Sequence, residues 1–125
     1  MKIGIDFDNT IINYEDVFFK TAVDYGYINQ DAFQGSNTKK NDVKTSLINL
    51  NREDDWTRIQ GLVYGEAIEL AKPYCNLNLF LDFLLKNNHQ FFIVSHKTKY
   101  PFIGKKVDLH QSAKKWINIH LKKYF

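Results

Sequence analysis

Two carboxylates separated by one residue lie near the start of the chain, and their spacing suits the chemistry of phosphate esters. Asp6 and Asp8 follow a short apolar run that contains Ile3 and Ile5. A run of this length, bounded by polar residues, predicts a buried β-strand. Ligands of open parallel sheets bind at the carboxyl ends of strands, so we expect both carboxylates to lie in a binding site.

The two carboxylates can hold one hard cation and still perform different steps of a reaction. One can attack a phosphorus atom as a nucleophile, and the other can give and accept a proton. A bound Mg²⁺ would offset the negative charge of a carboxylate and of a phosphate. The alternative is a strand followed by a solvated turn, because a lone Asp-x-Asp pattern is a weak signal. The apolar run before the pair and Asn9-Thr10 after it favour the functional interpretation.

The segment Asp6-Phe7-Asp8-Asn9-Thr10 resembles the first motif of the haloacid dehalogenase (HAD) superfamily, whose usual form is Asp-x-Asp-Gly-Thr. The resemblance implies that Asp6 is a covalent nucleophile and that Asp8 is a general acid and base. It also implies that both residues hold Mg²⁺ and that Asn9 and Thr10 bind phosphate. Asn9 stands where Gly is commonest, which requires a turn in the left-handed region that Asn visits more readily than most residues.

A second short apolar run, from Gln90 to Val94, ends in Ser95 and is soon followed by Lys97. A Ser at the end of a buried strand can donate a hydrogen bond to a phosphate oxygen. Lys97 can reach the same pocket as a point charge. Taken alone, Ser95 is better explained as the start of a loop. Beside the first motif it resembles the second HAD motif, which implies that Ser95 and Lys97 bind phosphate.

Helical periodicity fills most of the remaining sequence, and one polar loop is predicted from Gln34 to Asn41. The predicted helices run from about Tyr14 to Tyr25, from a cap at Asn41 or Asp42 to Leu50, from a cap at Asp54 or Asp55 past Leu70 to Pro73, from a cap at Asn76 past Leu84, and from a cap at Asp108 to Leu121. Gly61 and Gly65, four residues apart in the third of these helices, predict the close approach of another helix.

These elements and the resemblance together predict an α/β fold. It would be a truncated HAD-like (Rossmannoid) core with a parallel sheet, formed by residues 1–13 and 73–125, with an inserted α-helical cap formed by residues 14–72. The long segment between the two motifs fits family members that insert such a cap.

Two further motifs of the family have no clear counterpart after Ser95. One is a Lys that steadies the nucleophile, for which Lys97 or Lys99 can substitute. The other is an acidic pair that completes the Mg²⁺ shell, and Asp108 is the only acidic residue there. We therefore expect a fragment or a natural short form that binds Mg²⁺ weakly and slowly hydrolyses a small phosphorylated metabolite. The alternative is an inactive HAD-like protein with a binding or interaction role.

Composition and charge limit the remaining possibilities. A content of 44% hydrophobic and 15% aromatic residues indicates a folded core. The single cysteine, Cys75, cannot form an internal disulfide, and no segment resembles a signal peptide or a membrane span. We therefore expect a cytoplasmic protein without a membrane partner. Eight Lys and one Asp occur from Lys97 onward, and we interpret this basic end as a solvated helix face rather than a nucleic-acid site.

The predicted strands also bear on assembly. The sequence contains two clear strands, Lys2 to Phe7 and Gln90 to Ser95, and a two-stranded parallel sheet is too small to be stable alone. Unpaired backbone groups beside Ile3 and Ile5 would invite another chain to pair there. We expect a homodimer or a partner that supplies the missing strands. The alternative is a monomer whose edge is covered by a loop from Tyr100 to Val107.

Overall fold

The structure is a computed structural model that describes residues 1–33 and 38–125 as a small α/β fold. The strands are β1 (Lys2–Asp6), β2 (Ile12–Asn13), β3 (Lys72–Pro73) and β4 (Gln90–Val94), and the α-helices are α1 (Glu15–Asp24), α2 (Lys40–Asn49), α3 (Glu53–Tyr64), α4 (Leu77–Lys86) and α5 (Leu109–Leu121). Two 3-10 helices, Gln30–Phe33 and Glu66–Leu70, complete the regular elements of the described residues.

The two predicted strands form a parallel sheet, as the sequence indicates. β1 pairs with β4 in a register that sets Lys2 opposite Gln90 and Asp6 opposite Val94. Ser95 therefore leaves the sheet at the same end as Asp6. Among the described residues β1 pairs with no other strand, so this sheet has two strands.

A tight turn follows β1 and brings the chain back beside it. The backbone N–H groups of Ile11 and Ile12 each donate to the Phe7 carbonyl at 3.1 Å. Asn9 has φ of 56°, which is the left-handed conformation that the sequence required of it. β2 then pairs antiparallel with β3, with Ile12 opposite Pro73. This pairing fixes the start of α1 close to the end of β1.

The helices pack around one buried cluster. α1, α2 and α3 contact one another, and α4 lies on β4. The cluster includes Phe18 and Ile59 from the segment 14–72 and Phe7, Leu81 and Trp116 from the rest of the chain. The division into a core and a cap therefore stays a prediction, because one continuous core serves both segments. None of the helices in the described ranges has the length and apolar content that crossing a bilayer requires.

The third predicted helix is shorter than the sequence suggests. α3 ends at Tyr64 rather than at Pro73, because Gly65 takes φ −105° and ψ −103°, outside the helical region. The chain continues as a 3-10 helix and then as β3. The predicted cap at Asp54 or Asp55 is also wrong, since Arg52 precedes the first helical residue. Asp55 instead receives hydrogen bonds from the side chains of Arg52 and Arg58.

The loop after β4 packs against α3. A Cβ atom added at Gly61 would lie 2.8 Å from Pro101 Cβ, so Gly61 admits this loop rather than the predicted helix. Gly65 lies close to Leu109, where α5 begins.

At the other end of the helical segment, α2 begins at Lys40, just before the predicted cap. Residues 34–37 of the predicted polar loop lie outside the described residues.

Candidate functional site

A buried lysine lies against one of the two strand-end carboxylates. Lys97 Nζ is 2.9 Å from Asp8 Oδ1, and the Lys97 side chain is only 4% exposed, whereas that of Asp8 is 29% exposed. Lys97 reaches this position because Ser95 ends β4 beside the end of β1. Its own carbonyl lies 2.7 Å from His110 Nε2 on α5, which anchors the loop from the other side.

Tyr14 holds the same carboxylate oxygen from the first helix. Its buried hydroxyl donates to Asp8 Oδ1 at 2.7 Å. Burial, with the negative charge of Asp8, raises the pKa of Tyr14 far above its ordinary value, so the phenol remains a donor at neutral pH. Both contacts involve Oδ1, and in the described part of the chain Oδ2 has no partner. This oxygen is therefore available to a substrate.

Aromatic rings surround the ammonium group of Lys97. Its Nζ lies 3.9 Å from the centroid of the Tyr64 ring, 5.7 Å from that of Tyr14 and 6.0 Å from that of Phe7. Burial lowers the pKa of Lys97, and the charges of Asp8 and Asp6 partly oppose that effect. The contact with Asp8 is a close ion pair without the alignment of a directed hydrogen bond. At least two of the three donors of Nζ thus have no acceptor among the described residues.

Asp6 and Ser95 lie at the open side of this group. Asp6 is exposed, and the Thr10 hydroxyl lies 3.5 Å from its Oδ2. Ser95 is also exposed, and its Oγ accepts a hydrogen bond of 3.2 Å from the Lys97 backbone N–H. The hydroxyl hydrogen of Ser95 remains available for donation. The end of the sheet thus brings together the residues that the sequence predicts as catalytic or phosphate-binding.

The turn that carries Asn9 connects the site to α1. The Asn9 side chain accepts a hydrogen bond of 3.4 Å from the backbone N–H of Tyr14, the residue before that helix. The left-handed conformation of Asn9 is thereby tied to the helix whose tyrosine holds Asp8. The amide oxygen of Asn9 is thus used within the turn, although the residue as a whole is exposed to solvent.

Three residues of the site were not predicted from the sequence: Tyr14, described above, and Lys40 and Tyr64. Lys40, the first residue of α2, donates from Nζ to the Tyr64 hydroxyl at 3.3 Å. Burial lowers the pKa of Lys40 and raises the pKa of Tyr64 to about 12. The negative charge of Asp8 adds to the rise in the pKa of Tyr64 and opposes the lowering of the pKa of Lys40. No local pattern could identify Lys40 or Tyr64, because their distance to Asp8 depends on how three helices pack.

Two hollows adjoin these residues. A cavity of about 180 Å³ adjoins Asp8 and Lys97, and residues of α3 and of the loop after β4 line it, including Thr57, Gln60 and Phe102. A more polar cleft of about 390 Å³ lies between Asn9 and the start of α2, and Lys40 lines it. Both hollows adjoin groups of the site, so there is room for a bound molecule on either side.

A metal ion would have few protein ligands here. Within the ranges 1–33 and 38–125 there is no group of three or more His, Cys, Asp or Glu side chains placed to hold one. Asp6 and Asp8 remain as the two carboxylates at the strand end. This set fits an ion such as Mg²⁺, which proteins often hold with one or two carboxylates while phosphate and water complete the shell.

Comparison with known proteins adds no family assignment. No protein-family model matches the sequence, no curated protein is significantly similar to it, and no solved structure matches the fold. The resemblance to the HAD superfamily therefore rests on the residues of the two strand ends.

Proposed function

We propose that this protein is a HAD-like hydrolase, a magnesium-dependent phosphatase that acts on a small phosphorylated metabolite through an aspartyl-phosphate intermediate. The observation that carries the proposal is the buried ammonium of Lys97, 2.9 Å from Asp8 at the carboxyl end of β1. A fixed positive charge beside two strand-end carboxylates suits the binding and transfer of a phosphoryl group. Lys97 would thus serve as the lysine that the third motif of the family normally supplies.

The two carboxylates suit different steps because their surroundings differ. Asp6 is exposed and has one long contact with Thr10, so its oxygen is free to attack phosphorus. The bond from Asp6 to phosphorus forms as the bond from phosphorus to the ester oxygen breaks. In this step Asp8 carries a proton on Oδ2 and gives it to the leaving oxygen. Water then attacks the phosphorus as the bond from Asp6 to phosphorus breaks, and Asp8 takes up a proton of that water. Tyr14 and Lys97 hold Asp8 in place during both steps.

The phosphoryl group would be bound by residues from both strand ends. The hydroxyls of Ser95 and Thr10 and the amide of Asn9 are exposed there, and Lys97 provides charge. Asp6 and Asp8 would hold Mg²⁺, which acts as a Lewis acid on the phosphate when it is bound. We expect weak binding of the ion, since two carboxylates leave most of an octahedral shell to phosphate and water.

The cavity beside Asp8 suggests the size of the leaving group. Its volume of about 180 Å³ is below the range of roughly 300–1,000 Å³ that is typical of pockets for drug-sized ligands. Apart from Asp8 and Lys97, its lining carries no formal charge. An uncharged leaving group with a few hydroxyls would fit this lining, which includes the polar side chains of Thr57 and Gln60.

A phosphatase assay tests this function. The full chain with Mg²⁺ should release phosphate from p-nitrophenyl phosphate at less than about 1 s⁻¹, the lower end of the usual enzyme range. Asp6→Asn should abolish the reaction, as should chelation of the metal. Asp16→Asn, which removes an exposed carboxylate on α1, should leave the rate unchanged. Turnover that survives Asp6→Asn would contradict the proposal.

The second candidate is a catalytically inactive HAD-like protein with a binding or interaction role. The aromatic rings around Lys97 favour it, since a buried ion pair within a ring of aromatic side chains also suits a purely structural contact. In that case the wild-type chain has no magnesium-dependent turnover, and Lys97→Met changes only its stability. Parallel assays of turnover and thermal unfolding on this variant distinguish the two functions.

Assembly and location complete the proposal. A homodimer, or a partner that supplies further strands, would cover the two-stranded sheet. The free thiol of Cys75 is exposed, which suits a reducing compartment such as the cytoplasm.

A further inference from the structure

Lys40 approaches the site from the start of α2, whereas Lys97 reaches it from the loop after β4. The Nζ of Lys40 donates to the hydroxyl of Tyr64 at 3.3 Å, while the Nζ of Lys97 lies 3.9 Å from the centre of the same ring. Tyr64 thus contacts one ammonium at its hydroxyl and another at its ring face. The Nζ of Lys40 also lies 5.1 Å from the centroid of the Phe18 ring.

The positive charges of the two lysines are not fully balanced by the negative charge close to them. Asp8 forms the ion pair with Lys97, whereas Lys40 donates a hydrogen bond to the neutral phenol of Tyr64. The two cations also repel each other, since the charge of Lys40 lowers the pKa of Lys97. Partly desolvated ammonium groups of this kind are stabilised by an anion that offers several acceptor oxygens.

The cleft beside Lys40 has room for an anion, and Lys97 lines the other cavity, beside Asp8, rather than this cleft. The volume of the cleft is about 390 Å³, and it extends from Asn9 to the beginning of α2. The two acidic residues in its lining already have partners: Glu15 forms an ion pair with Lys39 at 3.7 Å, and Asp42 accepts from the Lys39 backbone N–H at 3.1 Å. The positive end of the helix also favours negative charge at this position.

We propose that Lys40 binds the phosphoryl group directly, together with Lys97, so that the anion bridges the start of α2 and the end of β4. The inference rests on the proposed function, because it assigns a second cationic ligand to that site. It places one phosphate-binding residue in the segment 14–72. A bound phosphate would then add a contact between that segment and the strand ends.

Binding of inorganic phosphate to the full chain tests the role of Lys40. Calorimetric titration at moderate salt should give weaker binding for Lys40→Met than for the wild type by a factor of about ten or more. Lys40→Arg should retain binding, because it keeps the charge. Lys44→Met is the matched control, since Lys44 is an exposed lysine one turn further along α2, and it should bind within a factor of about two of the wild type.

A measurement on the wild-type protein tests the same role even if a variant fails to fold. In a phosphate titration followed by NMR, the side-chain resonances of Lys40 and Lys97 should shift together at saturation, and those of Lys44 should not. Wild-type-like affinity in Lys40→Met, with binding lost in Lys97→Met, would overturn the role of Lys40 and leave the proposed function intact. Binding that needs Lys40 in a protein without turnover would support this inference and overturn the phosphatase. An absence of both binding and turnover would overturn both.

Discussion

At the scale of single residues, the hydroxyl of Tyr14 is the contact that orients Asp8. It is buried and donates to a carboxylate at 2.7 Å, and hydrogen bonds to charged groups contribute about 1.5–3 kcal/mol to stability. Tyr14→Phe should therefore lower the free energy of unfolding by about that amount. Urea denaturation measures it. Tyr25→Phe is the control, because that exposed hydroxyl makes only a 3.4 Å contact with Glu66, and its loss should cost under about 0.5 kcal/mol.

A histidine far from the site gives a prediction about pH. His120 packs on Trp116, with ring centroids 4.5 Å apart, and burial followed by the charge of Lys72 lowers its pKa below 6.5. Since the folded state binds this proton less readily than the unfolded state, stability should rise with pH from the lowered pKa up to 6.5. At pH values below that window, the protonation of His120 destabilises the folded state to its full extent.

The pH dependence can be assigned with one variant. His120→Gln should be less sensitive than the wild type to acid below pH 6.5 when the free energy of unfolding is followed by urea denaturation at several pH values. NMR titration of the His120 ring should also give a midpoint below 6.5. A midpoint above that value would contradict the burial argument.

The residues of the site differ in how far sequence could predict them. Asp6, Asp8 and Ser95 could be predicted from the sequence because strand ends are local features. The conformation of Asn9 follows from the turn in which it lies. Lys40 and Tyr64 could not be predicted in this way. Lys40 has the pattern of any exposed lysine at a helix start, and Tyr64 that of any aromatic on a helix. Their role depends on the packing of α2 and α3 around the end of β1, which no spacing along the chain encodes.

At the scale of elements, the contact between α3 and the loop after β4 shapes the cavity beside Asp8. Gly61 admits Pro101, and any Cβ at position 61 would lie 2.8 Å from the proline Cβ. Gly61→Ala should lower the free energy of unfolding by about 1–3 kcal/mol through overpacking, although alanine favours the helix by up to about 1 kcal/mol. The clash outweighs the gain in helix propensity because the neighbouring ring is rigid.

A double-mutant cycle can isolate this contact. Pro101→Gly removes the side chain that Gly61→Ala would meet, so the double variant should recover about 1 kcal/mol or more relative to the sum of the single changes. Chemical denaturation of all four proteins gives the coupling. If the losses in free energy of unfolding were strictly additive, positions 61 and 101 would not be in energetic contact.

Element boundaries show why the helical pattern was only partly predictive. The apolar spacing through Trp56, Ile59, Val63 and Ala67 continues past Tyr64, and these side chains are buried in the same cluster. The backbone nevertheless leaves the α-helix at Gly65, because a glycine there allows the turn and because Leu109 and Val107 lie close to it. Periodicity identified the buried side, whereas a long-range contact determined where the helix ends.

At the scale of the whole molecule, the described residues cover one face of the parallel sheet only in part. Ile5 is buried on one face, whereas on the other face Phe92 and Val94 of β4 are 53% and 50% exposed. Gly4 of β1, opposite Phe92, adds no side chain to that face. Parallel sheets are normally covered on both faces, and two strands alone are marginally stable. The loop from Tyr100 to Val107 packs on α3 through Pro101.

This partly covered face leads to a prediction about assembly. We expect a homodimer at micromolar concentration, detected by sedimentation velocity, and Phe92→Glu should shift it to monomer because a charge on an apolar interface is costly to bury. The monomer should keep its fold, since Phe92 is half exposed. Ile119→Glu is the control, because it places the same charge at an exposed apolar position on α5, and it should remain dimeric. A wild-type chain that sediments as a monomer at every concentration, with the amide of Ile3 protected from hydrogen exchange, would contradict the dimer.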